Sequence, residues 1–107
     1  MDLNQYQIVW VNLDPTIGSE IKKTRPCLII SPDEMNRHLN TIVVAPITNT
    51  SKSYPTRIEI TIGKITGWIV LDQIRSIDKT RVTGIEYKLK NEVVTSVKSI
   101  LKETYVD

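Results

Sequence analysis

The residues with the clearest chemical potential lie in one stretch, Gly18-Ser19-Glu20-Ile21-Lys22-Lys23-Thr24-Arg25-Pro26. It holds one carboxylate, three cations and two hydroxyls, set between the apolar runs Ile8 to Leu13 and Cys27 to Ile30. An acid and a guanidinium five positions apart, beside extra positive charge, suit phosphate chemistry, because the planar guanidinium fork matches a phosphate. Gly18 allows a backbone turn that other residues resist. Pro26 removes a donor and pushes Arg25 toward an extended conformation. Arg25 is therefore expected at the rigid root of a strand, with Glu20, Lys22 and Lys23 on the more mobile part of a loop. Taken alone, the stretch also reads as an ordinary solvated hairpin loop, since loops are commonly polar and charged.

Other site types find little support. There is one His, His38, next to Arg37 in a polar connector, and one Cys, so no zinc-type ligand cluster can be assembled. The four glycines are too far apart for a phosphate-cradling motif. Metal-free phosphoryl chemistry remains. RNA carries its own nucleophile, the 2′-hydroxyl, and its cleavage needs a base, a proton for the leaving 5′-oxygen and positive charge on the phosphate. Glu20 is the candidate base and Arg25 the phosphate ligand. Arg25 is a poor proton donor, because its pKa lies above about 12. Thr48 could add a hydroxyl hydrogen bond, or simply satisfy backbone groups at a strand end. Gln73 could read a base edge and Arg75 meet a phosphate, or both could belong to a solvated strand face. Trp10 and Trp68 could stack bases or fill a core.

The elements that must position these residues can be read in order. Ile8 to Leu13 is β-branched and aromatic, as strands are. Cys27 to Ser31 follows Pro26, and its unbroken apolar run predicts a strand covered on both faces. Pro32 opens a short helical turn over Ser31 to Asn36. Thr41 to Ala45 is a third strand, with Pro46 near its end and Ile47-Thr48 after it. Thr56 to Ile62 alternates, with Ile58, Ile60 and Ile62 on one face, as in a half-solvated antiparallel strand. Gly67 to Leu71 and Ile74 to Ile77 are further strands, and Asp78 caps a one-turn helix to Arg81. From Asn91, the expected cap, Val93, Val97, Ile100, Leu101 and Thr104 recur at helical spacing. Short sequential strands and one terminal helix predict a small curved sheet or partly open barrel with antiparallel pairing.

Length and composition set bounds. A chain of 107 residues is expected to be one domain, 1–107. Its 40% hydrophobic and 24% charged residues are ordinary for a globular protein, and a net charge of +2 does not by itself imply a nucleic-acid partner. Cys27 cannot form an internal disulfide and should be a buried, inert thiol. No signal peptide and no membrane-length apolar run are read, so a cytoplasmic location and no membrane partner are expected.

The ordered set of short motifs is more specific than any one of them. Val9-Trp10-Val11-Asn12-Leu13-Asp14-Pro15, Gly18-Ser19-Glu20, Arg25-Pro26, Ser31-Pro32, Pro46-Ile47-Thr48, Tyr54-Pro55 and Leu71-Asp72-Gln73-Ile74-Arg75-Ser76-Ile77 together resemble the MazF/PemK family of toxin endoribonucleases. The resemblance covers nearly the whole chain. It implies a mostly β, SH3-like barrel of the MazF/CcdB/PemK type with a C-terminal helix, working as a homodimer. It implies cofactor-free, metal-independent cleavage of single-stranded RNA, leaving a 2′,3′-cyclic phosphate and a 5′-hydroxyl, and neutralisation by an antitoxin protein. Arg25 and Thr48 would be catalytic, with Glu20 the proposed base. RNA contacts would come from Asn12, Thr16, Gly18, Ser19, Lys22 and Lys23 in and beside the loop, and from Gln73 and Arg75. A rival is a non-enzymatic toxin of the same fold that poisons a protein such as DNA gyrase through an apolar, aromatic tail. The ending Thr104-Tyr105-Val106-Asp107 matches such a tail poorly. A third possibility is an RNA-binding barrel without turnover.

Overall fold

The apolar and β-branched runs form strands, and the strands curl into one antiparallel sheet. The computed structural model describes residues 2–12 and 24–106. Within them lie β1 (Gln7–Asn12), β2 (Thr24–Ile29), β3 (Thr41–Thr48), β4 (Arg57–Ile62), β5 (Ile65–Val70), β6 (Arg75–Asp78) and β7 (Val82–Lys88). The helices are α1 (Asp33–His38) and α2 (Asn91–Leu101). Strand order is β4-β5-β3-β2-β1-β7, with β6 also paired to β3. Every pairing is antiparallel, as expected from sequential strands.

β3 is the hub. One edge pairs with β2 from Val44 to Pro46. The other pairs first with β6, over Thr41 to Val44, and then with β5, over Ile47 and Thr48. Val43 turns its polar backbone groups to the β2 side, where its carbonyl accepts from Ile30 N–H at 2.8 Å and its N–H donates to Ser31 Oγ at 3.0 Å. Strand alternation then aims the Pro46 nitrogen at the opposite edge, in the gap between β6 and β5. A residue without a donor costs no ladder bond there. The strand therefore runs through Pro46 to Thr48, three residues past the end expected from the apolar run.

Both faces of the central strands are covered, as the run Cys27 to Ile29 predicts. Ile8, Leu28, Ala45 and Ile47 belong to one buried cluster, which also takes Val97 of α2. Val9, Val11, Cys27, Ile29, Ile42 and Val44 belong to a second, with Leu3 and Ile77. Each fully buried Val, Leu or Ile contributes about 1.5–3 kcal/mol. α2 lays Val93, Val94, Val97, Ile100 and Leu101 on the first cluster, while Thr104 is exposed. Asn36 of α1 ties in the N-terminal segment by donating to the Leu3 carbonyl at 3.2 Å.

The two ends of the strand order approach each other at one side-chain contact. Gly63, with φ +57°, turns β4 into β5 and lies against the Tyr87 ring of β7 so closely that a Cβ there would sit 2.8 Å from Cε2. Two register shifts between β1 and β7 add twist to this end of the sheet.

Several boundaries differ from the sequence reading. β2 begins at Thr24 and takes in Pro26, which faces Trp10 of β1. Leu71–Gln73 is a 3-10 turn, so Leu71 leaves the strand expected from Gly67, and Gln73 stands on the turn rather than on a solvated strand face. β7 was not anticipated: Gly84 and the two register shifts break its alternation. The residue before α2 is Lys90, and Asn91 is the first helical residue. Asp78 caps the turn Lys79–Arg81 as expected, accepting from Thr80 N–H at 2.9 Å.

Candidate active site

Arg25 is the second residue of β2 and sits opposite Val11. Alternation places its side chain on the face of Cys27 and Ile29, so the guanidinium rises from the end of a buried apolar row. The residue is half-buried, and among the described residues its guanidinium has no ion-pair or hydrogen-bond partner. The expected rigid strand root is present.

Thr48 ends β3 opposite Trp68. Arg25, Thr48, Thr50, Arg57 and Gln73 line one cavity of about 220 Å³. β2, β3, β4 and the 3-10 turn thus bring Arg25, Thr48 and Gln73 together. Arg75 does not line this cavity. It is exposed on β6 opposite Val44, although its charge reaches the same neighbourhood. Burial pushes the Cys27 thiol up to about 12, against the opposing charges of Arg25 and Arg75. Asn12 ends β1 opposite Thr24, and its carbonyl accepts from Arg81 at 3.4 Å. Thr16, Gly18, Ser19, Glu20, Lys22 and Lys23 lie outside the described residues.

The Thr48 hydroxyl is turned to its own loop. It donates to the Thr50 carbonyl at 3.2 Å and accepts from Thr50 N–H at 3.3 Å. This is the strand-end arrangement, but both contacts are long for hydrogen bonds. A phosphate oxygen is a stronger acceptor for the same proton.

Sequence reasoning missed Arg57, having assigned it to a solvated strand face. Its Nε and Nη2 bond the two Asp72 carboxylate oxygens at 3.1 and 3.2 Å, and Nη1 donates to Ser51 Oγ at 2.8 Å. Its guanidinium carbon lies 4.7 Å from the Tyr54 ring centroid. Thr56 also donates to Asp72, at 2.9 Å. This fork clamps the loop after β3 and the turn carrying Gln73 to β4. The available signal was the sign pairing of Arg57 with Asp72 across a hairpin, which composition does not reveal.

The hydrogen bond from Arg57, then that from Thr56, holds the Asp72 carboxyl below its ordinary value of 3.8. A depressed folded-state pKa contributes stability that is present above the unfolded value and lost as pH falls through the folded one. Urea midpoints of the protein should therefore fall more steeply below pH 3.8 than those of Asp72→Asn. Parallel acid profiles would show that the fork adds nothing to stability.

Among the described residues no three His, Cys, Asp or Glu side chains gather as metal ligands would. No helix there is long and apolar enough to cross a membrane.

The curled antiparallel sheet, its closing helix and this cavity define the class. Residues 4–105 match the family of PemK-like, MazF-like toxins of type II toxin–antitoxin systems, and the chain belongs to that family. It is 35% identical over 109 residues to Endoribonuclease EndoA of Bacillus subtilis strain 168, covering 95% of this chain and 93% of that one. It is 34% identical over 70 residues to Endoribonuclease toxin MazF of Escherichia coli K12, a match that spans 65% of this chain and 63% of the relative's length. The fold superimposes on MazF of Deinococcus radiodurans with a TM-score of 0.83 at 24% identity, covering 100% of this chain and 99% of that one.

Proposed function

We propose that this chain is a toxin endoribonuclease that cuts single-stranded RNA without a metal, as one domain over residues 1–107. The observation that carries the reading is the shared cavity of Arg25 and Thr48, standing on two neighbouring, doubly covered strands. A base removes the 2′-hydroxyl proton, and the 2′-oxygen attacks the adjacent phosphorus. The bond to the 5′-oxygen breaks, and that oxygen leaves with a proton as a 5′-hydroxyl. The other product is a 2′,3′-cyclic phosphate. Arg25 binds the non-bridging oxygens, where negative charge grows in the transition state. Thr48 adds a hydrogen bond, Glu20 is the proposed base and Gln73 contacts the nucleotide. Lys22, Lys23 and Arg75 would attract the RNA backbone, and Asn12, Thr16, Gly18 and Ser19 would contact the strand from the loop. The protein would act in the cytoplasm as a homodimer and be silenced by an antitoxin protein.

Purified protein should cut a long RNA in EDTA, leaving 5′-hydroxyl and cyclic-phosphate ends. Intact RNA under those conditions would refute the reading.

Gly67 of β5 gives a remote check. A Cβ there would lie 2.5 Å from the Thr48 carbonyl oxygen and 3.1 Å from Ile47 Cγ2, so any side chain must displace Thr48. Misplacing a catalytic group by about 1 Å can cost on the order of a hundredfold. Gly67→Ala should therefore slow single-turnover cleavage at least about tenfold, in protein that still melts cooperatively. Unchanged turnover would remove Thr48 from the reaction.

A further inference from the structure

Arg25 contributes to the lining of two hollows. One is the cavity shared with Thr48. The other, about 280 Å³, lies on the first-cluster face of the same strands and is lined by Trp10, Asn49, Lys64, Ile65 and Thr66 among others. Its walls differ in kind: an indole from β1, an aliphatic side chain from β5, a primary amide, an ammonium group and a hydroxyl. A flat aromatic wall with an amide edge and a cation nearby suits a planar ring that carries both donors and acceptors.

The indole is fixed in place. Trp10 Nε1 donates to Glu86 Oε1 at 2.8 Å. Trp10 pairs with Gly84 of β7, where a Cβ would lie 3.7 Å from the indole Cδ1. The ring is half-buried and packs on the first core cluster. A ring held this way loses little freedom when another ring stacks on it. Asn49 and Lys64 are exposed, and their side chains have no partners among the described residues.

We infer that this second hollow is a nucleobase subsite. It takes the base of a nucleotide next to the phosphate held by Arg25, stacks it on Trp10 and reads its edge with the Asn49 amide. Lys64 holds a base acceptor or the neighbouring phosphate. The Arg25 side chain and Trp10 lie on opposite faces of β1 and β2, so an RNA strand that rounds the Thr24 end of β2 would reach both hollows, and an occupied subsite then limits which phosphate lies against the guanidinium. The subsite would thus set cleavage preference at one position. This inference rests on the RNA-cleavage reading, so its test includes a readout that needs no turnover.

The chain has two Trp residues, so Trp68→Phe leaves one indole N–H resonance, and Trp10→Phe assigns the same signal by its loss. The Trp10 resonance is followed while the four nucleoside 5′-monophosphates are added singly, with ribose 5-phosphate as the control. At least one nucleotide should shift it at concentrations where ribose 5-phosphate does not, and Asn49→Ala should change the order of preference among the four. In RNA cleavage, Trp10→Leu should weaken the apparent affinity for substrate roughly fivefold to a hundredfold, the range for loss of one stacked base. Asn49→Ala should relax base preference at one position in sequenced 5′ ends. If no base shifts the indole while the protein cuts RNA, the subsite is wrong and the ribonuclease reading stands. If a base shifts it and RNA stays intact, the subsite stands and the catalytic reading fails.

Discussion

Arg25→Ala is expected to abolish RNA cleavage in protein that still folds. The guanidinium is the one group in the shared cavity that combines full charge, a rigid strand mount and freedom from internal partners among the described residues. Arg57 also carries charge there, but Asp72 holds its fork. Loss of one preorganised donor to a developing oxyanion costs about 10²–10³ in kcat. Removing Arg25 strands no buried partner, so the melting transition should move little. Arg25→Lys should also be poor, because a point charge cannot reproduce two parallel donors. Single-turnover rates on a cut oligonucleotide, beside thermal melts, decide it. Near-normal turnover by folded Arg25→Ala would sink the assignment.

A single deoxyribose in the substrate, 5′ to the scissile phosphate, is expected to stop cleavage as completely. The described part of the site offers a phosphate ligand, a threonine hydroxyl and an amide, and the attacking oxygen is assigned to the substrate. Only RNA has a 2′-hydroxyl there. Binding should change little, because phosphates and bases remain, and EDTA should leave the all-RNA control unaffected. If the substituted strand is still cut at the same bond, water is the nucleophile, and the roles of Glu20, Arg25 and Thr48 must be reassigned.

What was legible in the sequence follows from what periodicity can encode. The doubly buried strand at Cys27, the alternating Ile58-Ile60-Ile62 and the helical face around Val97 all repeat with the period of their element. Arg25 was legible because Pro26 constrains its neighbour locally. The misses depend on partners far along the chain. Pro46 continues β3 because two different strands share that edge. β7 depends on a twisted pairing with β1 and on Gly84 lying beneath Trp10. Arg57 acquires its place from Asp72, fifteen residues away. The gathering of Arg25, Thr48 and Gln73 is likewise a product of the curl, which no local pattern announces.

Cys27 has a use that its chemistry alone would not suggest. The thiol is fully buried two residues from Arg25, and burial holds its pKa near 12, so almost no thiolate exists at neutral pH. Alkylating reagents attack the thiolate. In the native protein this thiol is doubly shielded, by access and by protonation. Labelling must then wait for β2 to part from β1 and β3. The rate of iodoacetamide incorporation becomes a clock for opening of the sheet that carries the guanidinium. Because this is the chain's single thiol, mass spectrometry can read that clock without an engineered probe. The same measurement, repeated with RNA or a partner protein present, would report how tightly each one holds the sheet closed.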